Sequence, residues 1–296
     1  MKAGFVALVG RPNAGKSTLL NRLVGQKVAI VSDKPQTTRT RILGVRNGEG
    51  VQIVFIDTPG IHRPLHRLNV RMVDVAVQSI GQADVVCAVA DAMEAVGGGD
   101  QYLGTLLARG SVPTVLALNK IDRVAKHALL PLIDQWSRLV RFEAIVPVSA
   151  LTGENEDALL QALLQHLPDG EPLYPADYLT DQPERAYVGE IVREKVLRHT
   201  RDELPFSSAV IVDRFEDANE RGLMRLFCTI LVERESQKPI VIGRGGAMIK
   251  RIGTEAREEL ERFFGAKVYL DLRVKTRAGW REDPRMLDEI GIRDDE

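Results

Sequence analysis

The glycine-rich segment at residues 10–17 constrains what this chain can fold into more than any other feature. It reads GRPNAGKS, follows an apolar run at residues 5–9, and precedes a helix-periodic stretch with Leu19, Leu20 and Leu23. Such a segment between a strand and a helix binds phosphate, because its glycines let backbone N–H groups wrap the phosphates and the helix N-terminus adds a favourable dipole. The chain is therefore predicted to contain an α/β domain that binds a phosphorylated ligand.

More apolar runs follow in the first half of the chain, with room for helices between them. They are VQIVFI, DVVCAVA, TVLAL and AIVPV. Because they lack alternation with polar residues, they are typical of strands that helices bury on both faces. One connection differs, since residues 40–46 and 51–56 are joined by a turn that starts with Asn47 and Gly48, a strong hairpin signal. We expect a doubly wound α/β domain with a mixed, mostly parallel sheet and one antiparallel edge strand.

A proline-rich stretch separates this domain from a second one. Residues 166–184 hold four prolines and show no periodicity, which is typical of a linker between domains. We assign residues 1–170 to the phosphate-binding domain, 171–184 to the linker and 185–296 to a second domain with a C-terminal tail. In the second domain, the hydrophobic periodicities predict the element order αββααβ.

The composition excludes several classes of protein. A net charge of −1 over 296 residues argues against a uniformly basic nucleic-acid binder, although a local basic patch is compatible with it. Cys87 and Cys228 both lie in apolar runs, which indicates buried free thiols in a reducing compartment. No run reaches the roughly 18 apolar residues of a membrane span. We expect a cytoplasmic protein, with peripheral contact at the inner face of the cell membrane as the alternative.

Residues that bind phosphate and metal are expected at two neighbouring strand ends. Asp57-Thr-Pro-Gly60 follows VQIVFI, so its carboxylate lies at the C-terminal end of a strand, where open α/β sheets bind ligands. We expect Lys16 to pair with the β- and γ-phosphates and the Ser17 hydroxyl to ligate Mg²⁺. Asp57 would hold Mg²⁺ through water, and the Gly60 N–H would sense the γ-phosphate.

The sequence NKID at residues 119–122 predicts which base is bound. It ends the run TVLAL, and the Asp122 carboxylate has two acceptor oxygens that match the N1–H and exocyclic amino donors of guanine, a pair that adenine lacks. Ser149 and Ala150 end the next run, where we expect a backbone N–H to meet the guanine oxygen. These segments together predict a guanine-nucleotide site.

A glycine loop in the second domain predicts RNA binding. Residues 243–246 read GRGG and match the G-x-x-G loop with which KH modules clamp about four nucleotides by close backbone approach. Residues 234–281 hold 12 Lys and Arg against 6 Asp and Glu, so positive charge concentrates around the loop. The residues expected to bind RNA are Gly243, Arg244, Gly245, Gly246, Lys250 and Arg251.

The motifs GRPNAGKS, QTTR, DTPG, NKID and SA together resemble those of the translation-factor-related GTPases. With the segment IGRGGAMIKRIG, essentially the whole chain resembles the Era family of bacterial KH-domain GTPases. The resemblance implies a P-loop GTPase domain that binds GTP and GDP, followed by a smaller α+β KH domain of type II. The implied nucleotide-binding residues are Gly10, Arg11, Pro12, Asn13, Ala14, Gly15, Lys16, Ser17, Thr18, Asp57, Gly60, Asn119, Lys120, Asp122, Ser149 and Ala150.

The resemblance also implies GTP hydrolysis with Mg²⁺ as the cofactor. Its Mg²⁺ ligands would be Ser17, Asp57 and a threonine of QTTR, which we assign to Thr38, with Thr37 as the alternative. The catalytic residues would be Lys16, Thr38, Gly60 and Asn13.

One departure from Ras-like GTPases bears on the rate. Ile61 follows DTPG where those enzymes place a water-orienting glutamine, and an isoleucine cannot hydrogen-bond water. Hydrolysis is therefore expected to be slow, or to use a polar group from elsewhere. In related GTPases the asparagine that matches Asn13 helps to bind potassium, so potassium-stimulated hydrolysis is a further hypothesis.

By the same resemblance, the RNA is 16S ribosomal RNA near its 3′ end, and the process is assembly and maturation of the 30S ribosomal subunit. The alternatives are a GTPase that acts on another RNA such as tRNA, a constitutive RNA-binding module with a structural nucleotide, and a membrane-signalling GTPase. We expect a monomer, because no long apolar repeat suggests an interface.

Overall fold

The structure is a computed structural model that describes residues 1–62 and 66–292. Contacts divide the chain into two compact units. The first comprises Met1–Val31, Pro35–Leu65 and Asn69–Asp181, and the second comprises Gln182–Glu296 with Ser32–Lys34 and His66–Leu68. Of the expected C-terminal tail, residues 293–296 lie outside the described residues.

The order of elements agrees with the predicted fold class. The strands are β1 (Lys2–Val9), β2 (Ile42–Gly48), β3 (Val51–Asp57), β4 (Val85–Asp91), β5 (Thr114–Asn119), β6 (Ala144–Pro147), β7 (Ala209–Glu216), β8 (Leu223–Val232) and β9 (Lys267–Thr276). The helices are α1 (Lys16–Val24), α2 (Arg67–Gln82), α3 (Gly98–Leu107), α4 (Leu129–Leu139), α5 (Glu156–Leu164), α6 (Glu184–His199), α7 (Leu204–Ser207), α8 (Lys238–Ile242), α9 (Ala247–Phe264) and α10 (Pro284–Glu289). None of these helices is both long and apolar enough to span a bilayer.

The first unit is built on one six-stranded sheet. Its strand order is β2-β3-β1-β4-β5-β6, and all neighbours are parallel except β2 and β3. The antiparallel edge strand predicted from the Asn-Gly turn is confirmed. The order reverses at β1, which pairs with β3 on one side and β4 on the other. Ligands of open α/β sheets bind at the C-terminal ends of the strands beside such a reversal.

Helices cover both faces of this sheet, as the uninterrupted apolar runs predicted. On one face, Leu19, Leu20 and Leu23 of α1 are buried against the strands. On the other face, Trp136 of α4 is buried, so it is a packing residue. Cys87 is a buried free thiol in β4, and burial raises its pKa to about 12. These layers fix the strand ends at which the predicted ligand residues lie.

The segment that we expected to act as a linker is instead packed on the first unit up to Asp181. The side chain of Gln52, the second residue of β3, accepts hydrogen bonds from the N–H groups of Leu173 and Tyr174 at 2.6 and 2.9 Å. Val45 of β2 donates to the Leu179 carbonyl at 2.8 Å. We call residues 171–181 the strap. The strap thus belongs to the first unit.

The second unit confirms the predicted αββααβ order, with the short helices α7 and α10 added. Its sheet has the order β7-β8-β9, with β7 antiparallel and β9 parallel to β8. Helix α9 buries Ile252, Ala256 and Leu260, which recur at helical spacing. Trp280 is fully buried and donates from Nε1 to the Ser207 carbonyl at 3.0 Å, so it too is a packing residue.

Candidate nucleotide and nucleic-acid sites

The glycine loop between β1 and α1 leaves no space for side chains at two positions. Gly15 has a φ of 96°, and a Cβ atom there would lie 2.2 Å from Asn119 Nδ2. A Cβ atom at Gly10 would lie 2.2 Å from the Val89 carbonyl oxygen. The loop therefore runs directly against the ends of β4 and β5. This close approach is the physical reason for glycine at these two positions.

Lys16 is the first residue of α1 and is buried. Its Nζ donates to the carbonyls of Gly10 and Arg11 at 3.1 and 3.0 Å. Burial lowers the pKa of Lys16 to about 8, although the nearby Asp57 carboxylate opposes the shift. A buried ammonium group held beside a glycine loop is suited to bind an anion, and phosphate would favour its charged form.

Three oxygen-bearing side chains converge beside Lys16. Ser17 Oγ lies 2.7 Å from Thr38 Oγ1 and donates to Asp57 Oδ2 at 2.6 Å. The Thr38 hydroxyl donates to the same carboxylate oxygen at 3.1 Å. The other oxygen, Asp57 Oδ1, is buried and accepts no hydrogen bond from the described residues.

This oxygen cluster fits a hard cation such as Mg²⁺. Burial raises the pKa of the Asp57 carboxyl, so the site penalises an unpartnered negative charge, and a divalent cation would relieve that penalty. Mg²⁺ prefers oxygen ligands and retains several waters. Of the two threonines considered from sequence, Thr38 makes these contacts and is 6% exposed.

Gly60 packs directly against the phosphate-binding loop. A Cβ atom at Gly60 would lie 2.7 Å from the Pro12 backbone, and the next residue, Ile61, donates from its N–H to the Gly10 carbonyl at 3.0 Å. Ile61 is buried, and His62 Nδ1 lies 2.8 Å from the Gly60 carbonyl oxygen. The end of β3 is therefore joined to the loop by backbone contacts.

Asn119 joins the phosphate-binding loop to the segment after β6. Its Nδ2 donates to the Ala14 carbonyl at 2.9 Å, and its Oδ1 accepts from the Ala150 N–H at 2.9 Å. The residue is buried, and both ends of its amide are satisfied. The first residue of NKID thus fixes the relative position of the other loops.

Asp122 and Ser149 lie together, as the motif order predicted. Ser149 Oγ donates to Asp122 Oδ1 at 2.6 Å and accepts from the Thr152 N–H at 3.1 Å. This contact orients the carboxylate that would read guanine. The remaining predicted residues, Asn13 with a φ of 63° and the half-buried Thr18, lie in the loop and in the first turn of α1.

Two side chains of the predicted site have acidic partners that the motifs did not indicate. Lys120 Nζ lies 2.5 Å from Asp91 Oδ2 at the end of β4. Arg11 Nη1 lies 2.8 Å from Glu94 Oε2 and 3.1 Å from Asp100 Oδ2. The only sequence signal for these partners is a group of carboxylates directly after β4, which carries no motif.

The glycine loop of the second unit lies between α8 and α9. Gly243, Gly245 and Gly246 all have positive φ, at 74°, 59° and 79°. A Cβ atom at Gly243 would lie 2.6 Å from Met248 Cβ, whereas Gly245 and Gly246 face open space within 4 Å. The loop is therefore tight where it meets α9 and bare at its tip.

Basic side chains surround this tip. Arg244, Lys250 and Arg251 are exposed, and Arg251 pairs with Glu255 one turn along α9 at 3.1 Å. The loop thus offers exposed cations beside an accessible backbone, the combination that single-stranded RNA binding requires. All six residues predicted to contact RNA lie within this one stretch.

Comparisons with known proteins agree with both sites. Residues 5–120 match the family described as 50S ribosome-binding GTPase, and residues 203–281 match the KH domain family. The chain is 49% identical to GTPase Era of Geobacter metallireducens over 98% of this chain and 97% of that protein. It is 45% identical to GTPase Era of Heliobacterium modesticaldum, with 99% and 97% covered.

This chain belongs to the Era family of GTPases. Two solved Era structures are similar over nearly the whole chain, each with a TM-score of 0.95 and 42% identity. One is a variant of Aquifex aeolicus Era bound to GDP and aluminium fluoride, covering 99% of this chain and 100% of that one. The other is Era in complex with MgGDPNP and nucleotides 1506–1542 of 16S ribosomal RNA, with 99% of each chain covered. The resemblance stated from the motifs is confirmed, and with it the fold class.

Proposed function

We propose that this Era-family chain is a cytoplasmic GTP-controlled switch that binds 16S ribosomal RNA near its 3′ end and assists assembly and maturation of the 30S subunit. The observation that carries the proposal is the whole-chain similarity to an Era complex that holds MgGDPNP and nucleotides 1506–1542 of 16S ribosomal RNA. A chain that keeps both units, in the same order and at 42% identity, has the parts needed for the same pair of ligands.

The nucleotide part of the proposal assigns a role to each strand end. Lys16 and the loop N–H groups would bind the phosphates, and Asp122 would accept hydrogen bonds from guanine. The support is geometric, because Asn119 ties the loop to Ala150 and Ser149 orients Asp122 at 2.6 Å. Such fixed donors and acceptors give specificity, since a ligand that lacks the matching groups leaves them unpaired.

Ser17, Thr38 and Asp57 would hold Mg²⁺ in this site. When bound, the ion would neutralise charge that builds up on the phosphate oxygens during transfer to water. The chain's own residues would position that reaction: the Gly60 N–H would contact the γ-phosphate, and the buried Ile61 would exclude bulk water. Because no glutamine follows DTPG, the proposal includes slow intrinsic hydrolysis.

Potassium stimulation of hydrolysis through Asn13 is a second part of the proposal. Asn13 lies at the exposed turn of the phosphate-binding loop with a φ of 63°. GTP hydrolysis should therefore be faster in potassium than in sodium buffer of equal ionic strength, and Asn13→Ala should remove the difference. Equal rates in the two buffers, measured with and without RNA, would reject this part of the proposal.

The RNA part assigns phosphate contacts to the loop at residues 243–246 and to Lys250 and Arg251. The bare tip at Gly245 and Gly246 lets a strand approach the backbone, and the exposed Arg244 supplies charge. GTP binding and hydrolysis at the first unit would then alter how this loop meets RNA, as in other nucleotide switches.

The test is crosslinking and sequencing of bound RNA in cells, with the intact chain and an Arg244→Asp variant. The expected result is enrichment at the 16S 3′ end that the variant loses, together with accumulation of immature 30S particles. Arg138→Asp, which reverses an exposed charge on α4, is the matched control and should keep the enrichment. Enrichment on tRNA, or none that depends on Arg244, would overturn the functional assignment and leave the GTPase family unchanged.

A further inference from the structure

The segment from the end of β4 to the first turn of α3, residues 91–100, carries three carboxylates that contact two different parts of the nucleotide site. Asp91 binds Lys120 of the base-reading motif, and Glu94 and Asp100 bind Arg11 of the phosphate-binding loop. The three carboxylates and Arg11 line one small cavity together with Trp136. None of the three carboxylates belongs to a nucleotide-binding motif, so we infer their role from the residues that they contact.

The contact at the base side involves both oxygens of Asp91. Its Oδ2 lies 2.5 Å from Lys120 Nζ, and its Oδ1 accepts from the Met93 N–H at 2.9 Å. The neighbouring Ala92 donates from its N–H to the Asn119 carbonyl at 2.8 Å. Lys120 has a φ of 69°, a left-handed conformation that costs energy for a residue with a Cβ atom and persists only where contacts enforce it.

The contact at the phosphate side is partly buried. The Asp100 side chain is 6% exposed, and its Oδ2 accepts from Arg11 Nη1 at 3.1 Å and from the Gly97 N–H at 2.9 Å. Glu94, at the surface, adds a second carboxylate 2.8 Å from the same guanidinium nitrogen. A Cβ atom at Gly99 would lie 3.2 Å from Arg11 Nε, so the guanidinium lies directly over the first turn of α3.

We propose that residues 91–100 form a clasp that holds the base-reading and phosphate-binding loops in their binding geometry, and that Asp91 and Asp100 are positioning residues that set the rate of guanine-nucleotide release. The proposal rests on the nucleotide site proposed above. Each carboxylate fixes a residue on one side of the ligand, so the nucleotide leaves when either pair opens. Without Asp91 or Asp100, the cation that it contacts loses a partner that fixes its position, so we expect the nucleotide to dissociate faster.

The first measurement is the dissociation rate of a fluorescent GDP analogue from the intact chain, chased with excess GDP. Asp91→Asn keeps the size of the side chain and removes its charge, and we expect release about tenfold faster. Asp100→Asn weakens the other side of the clasp, where Glu94 still contacts Arg11, and should speed release by about threefold. Asp134→Asn removes an exposed carboxylate of α4 that pairs with Arg138 and should release GDP at the wild-type rate.

A double-mutant cycle separates positioning from a general loss of stability. If Asp91 acts through Lys120, the double variant Asp91→Asn/Lys120→Met should release GDP as fast as Lys120→Met alone. If Asp91 is merely structural, the effects of the two substitutions on the dissociation rate multiply in the double variant. The melting temperature of the single variant Asp91→Asn then falls as well. Multiplying effects would therefore overturn the proposal.

The remaining outcomes distinguish this inference from the proposed function. Tight GDP binding by the wild type with an unchanged release rate in Asp91→Asn and Asp100→Asn would overturn the clasp and leave the nucleotide site in place. Failure of the wild type to bind GDP would instead overturn the proposed nucleotide site, and the clasp with it.

Discussion

The two glycine loops of this chain prepare for their ligands in opposite ways. In the first unit the polar groups are already paired with one another: the Asn119 amide bonds Ala14 and Ala150, and Ser17 donates to Asp57. In the second unit the loop tip is bare, with open space around Gly245 and Gly246. The first loop therefore presents a fixed set of donors and acceptors, and the second presents accessible backbone and charge.

The difference indicates what each site can discriminate. A buried network whose polar groups are mostly paired binds one arrangement of donors and acceptors, because any mismatched ligand leaves a polar group unpaired. An open loop beside exposed cations recognises the backbone of a flexible strand, which many sequences share. Sequence choice by the second unit must then come from side chains flanking the loop.

Gly15→Ala should have the largest effect on ligand affinity, because the paired groups of the first site leave no room for an added methyl group. The new methyl group would lie 2.2 Å from Asn119 Nδ2 at a φ of 96°, so GDP affinity should fall at least about 100-fold. Gly25→Ala is the matched control: its φ is 82° but nothing lies within 4 Å. It should cost about 1 kcal/mol of stability and leave GDP affinity unchanged by calorimetry. Near-normal GDP binding by Gly15→Ala would contradict the picture of a rigid site.

The loop at residues 243–246 has a crowded position, Gly243, and an open position, Gly245. Two alanine variants can distinguish them. Gly243→Ala would place a methyl group 2.6 Å from Met248 Cβ and should destabilise the start of α9 by about 3 kcal/mol. Gly245→Ala meets no atom within 4 Å and should cost about 1 kcal/mol. Hydrogen exchange of α9 in the intact chain measures the difference. Both variants should weaken RNA binding, and equal exchange in the two would refute the division.

We expect Lys16 to make nucleotide binding depend on pH. Its pKa is lowered to about 8 by burial, so the ligand-free protein loses this proton as pH rises through 8, and bound phosphate restores it. GDP binding at pH 9 should then take up roughly 0.9 proton, against about 0.1 at pH 7. Calorimetry in buffers of different ionisation enthalpy measures the uptake. Binding of RNA at the Arg-containing loop should show little uptake, because guanidinium groups stay protonated.

The smallest expected effect is on the salt dependence of RNA binding at the open loop of the second unit. Arg244→Gln removes one exposed cation, and the slope of log affinity for single-stranded RNA against log salt should flatten by about 0.7. Arg138→Gln, which changes an exposed side chain of α4, should leave the slope as it is. Parallel lines for wild type and Arg244→Gln would show that Arg244 contacts no phosphate.

Elements with periodicity or a motif were predictable from the sequence. The positions of Lys16, Asp57 and Asn119 follow from apolar runs that stop at a motif, and the antiparallel edge follows from Asn47 and Gly48. Local pattern is sufficient there, because backbone conformation and burial on both faces depend on neighbouring residues.

Contacts between distant irregular segments were not predictable. Arg11 and Asp100 are 89 residues apart, and no spacing rule links a loop arginine to a helix-capping carboxylate. The strap has no periodicity, and Gln52, which holds it, appeared as one polar residue within an apolar strand. Such contacts depend on which strands become neighbours in the sheet, and this information lies in the tertiary fold.

The strap also determines where this protein can be divided. Its tyrosines, Tyr174 and Tyr178, stack at 4.6 Å and cover Leu43 and Val54 of the β2–β3 hairpin. A fragment cut at residue 170 would expose this apolar patch and lose the hydrogen bonds between Gln52 and the strap, so we expect it to self-associate. A catalytic fragment for separate expression, or a chimera that exchanges RNA-binding modules between relatives, should therefore join after Asp181.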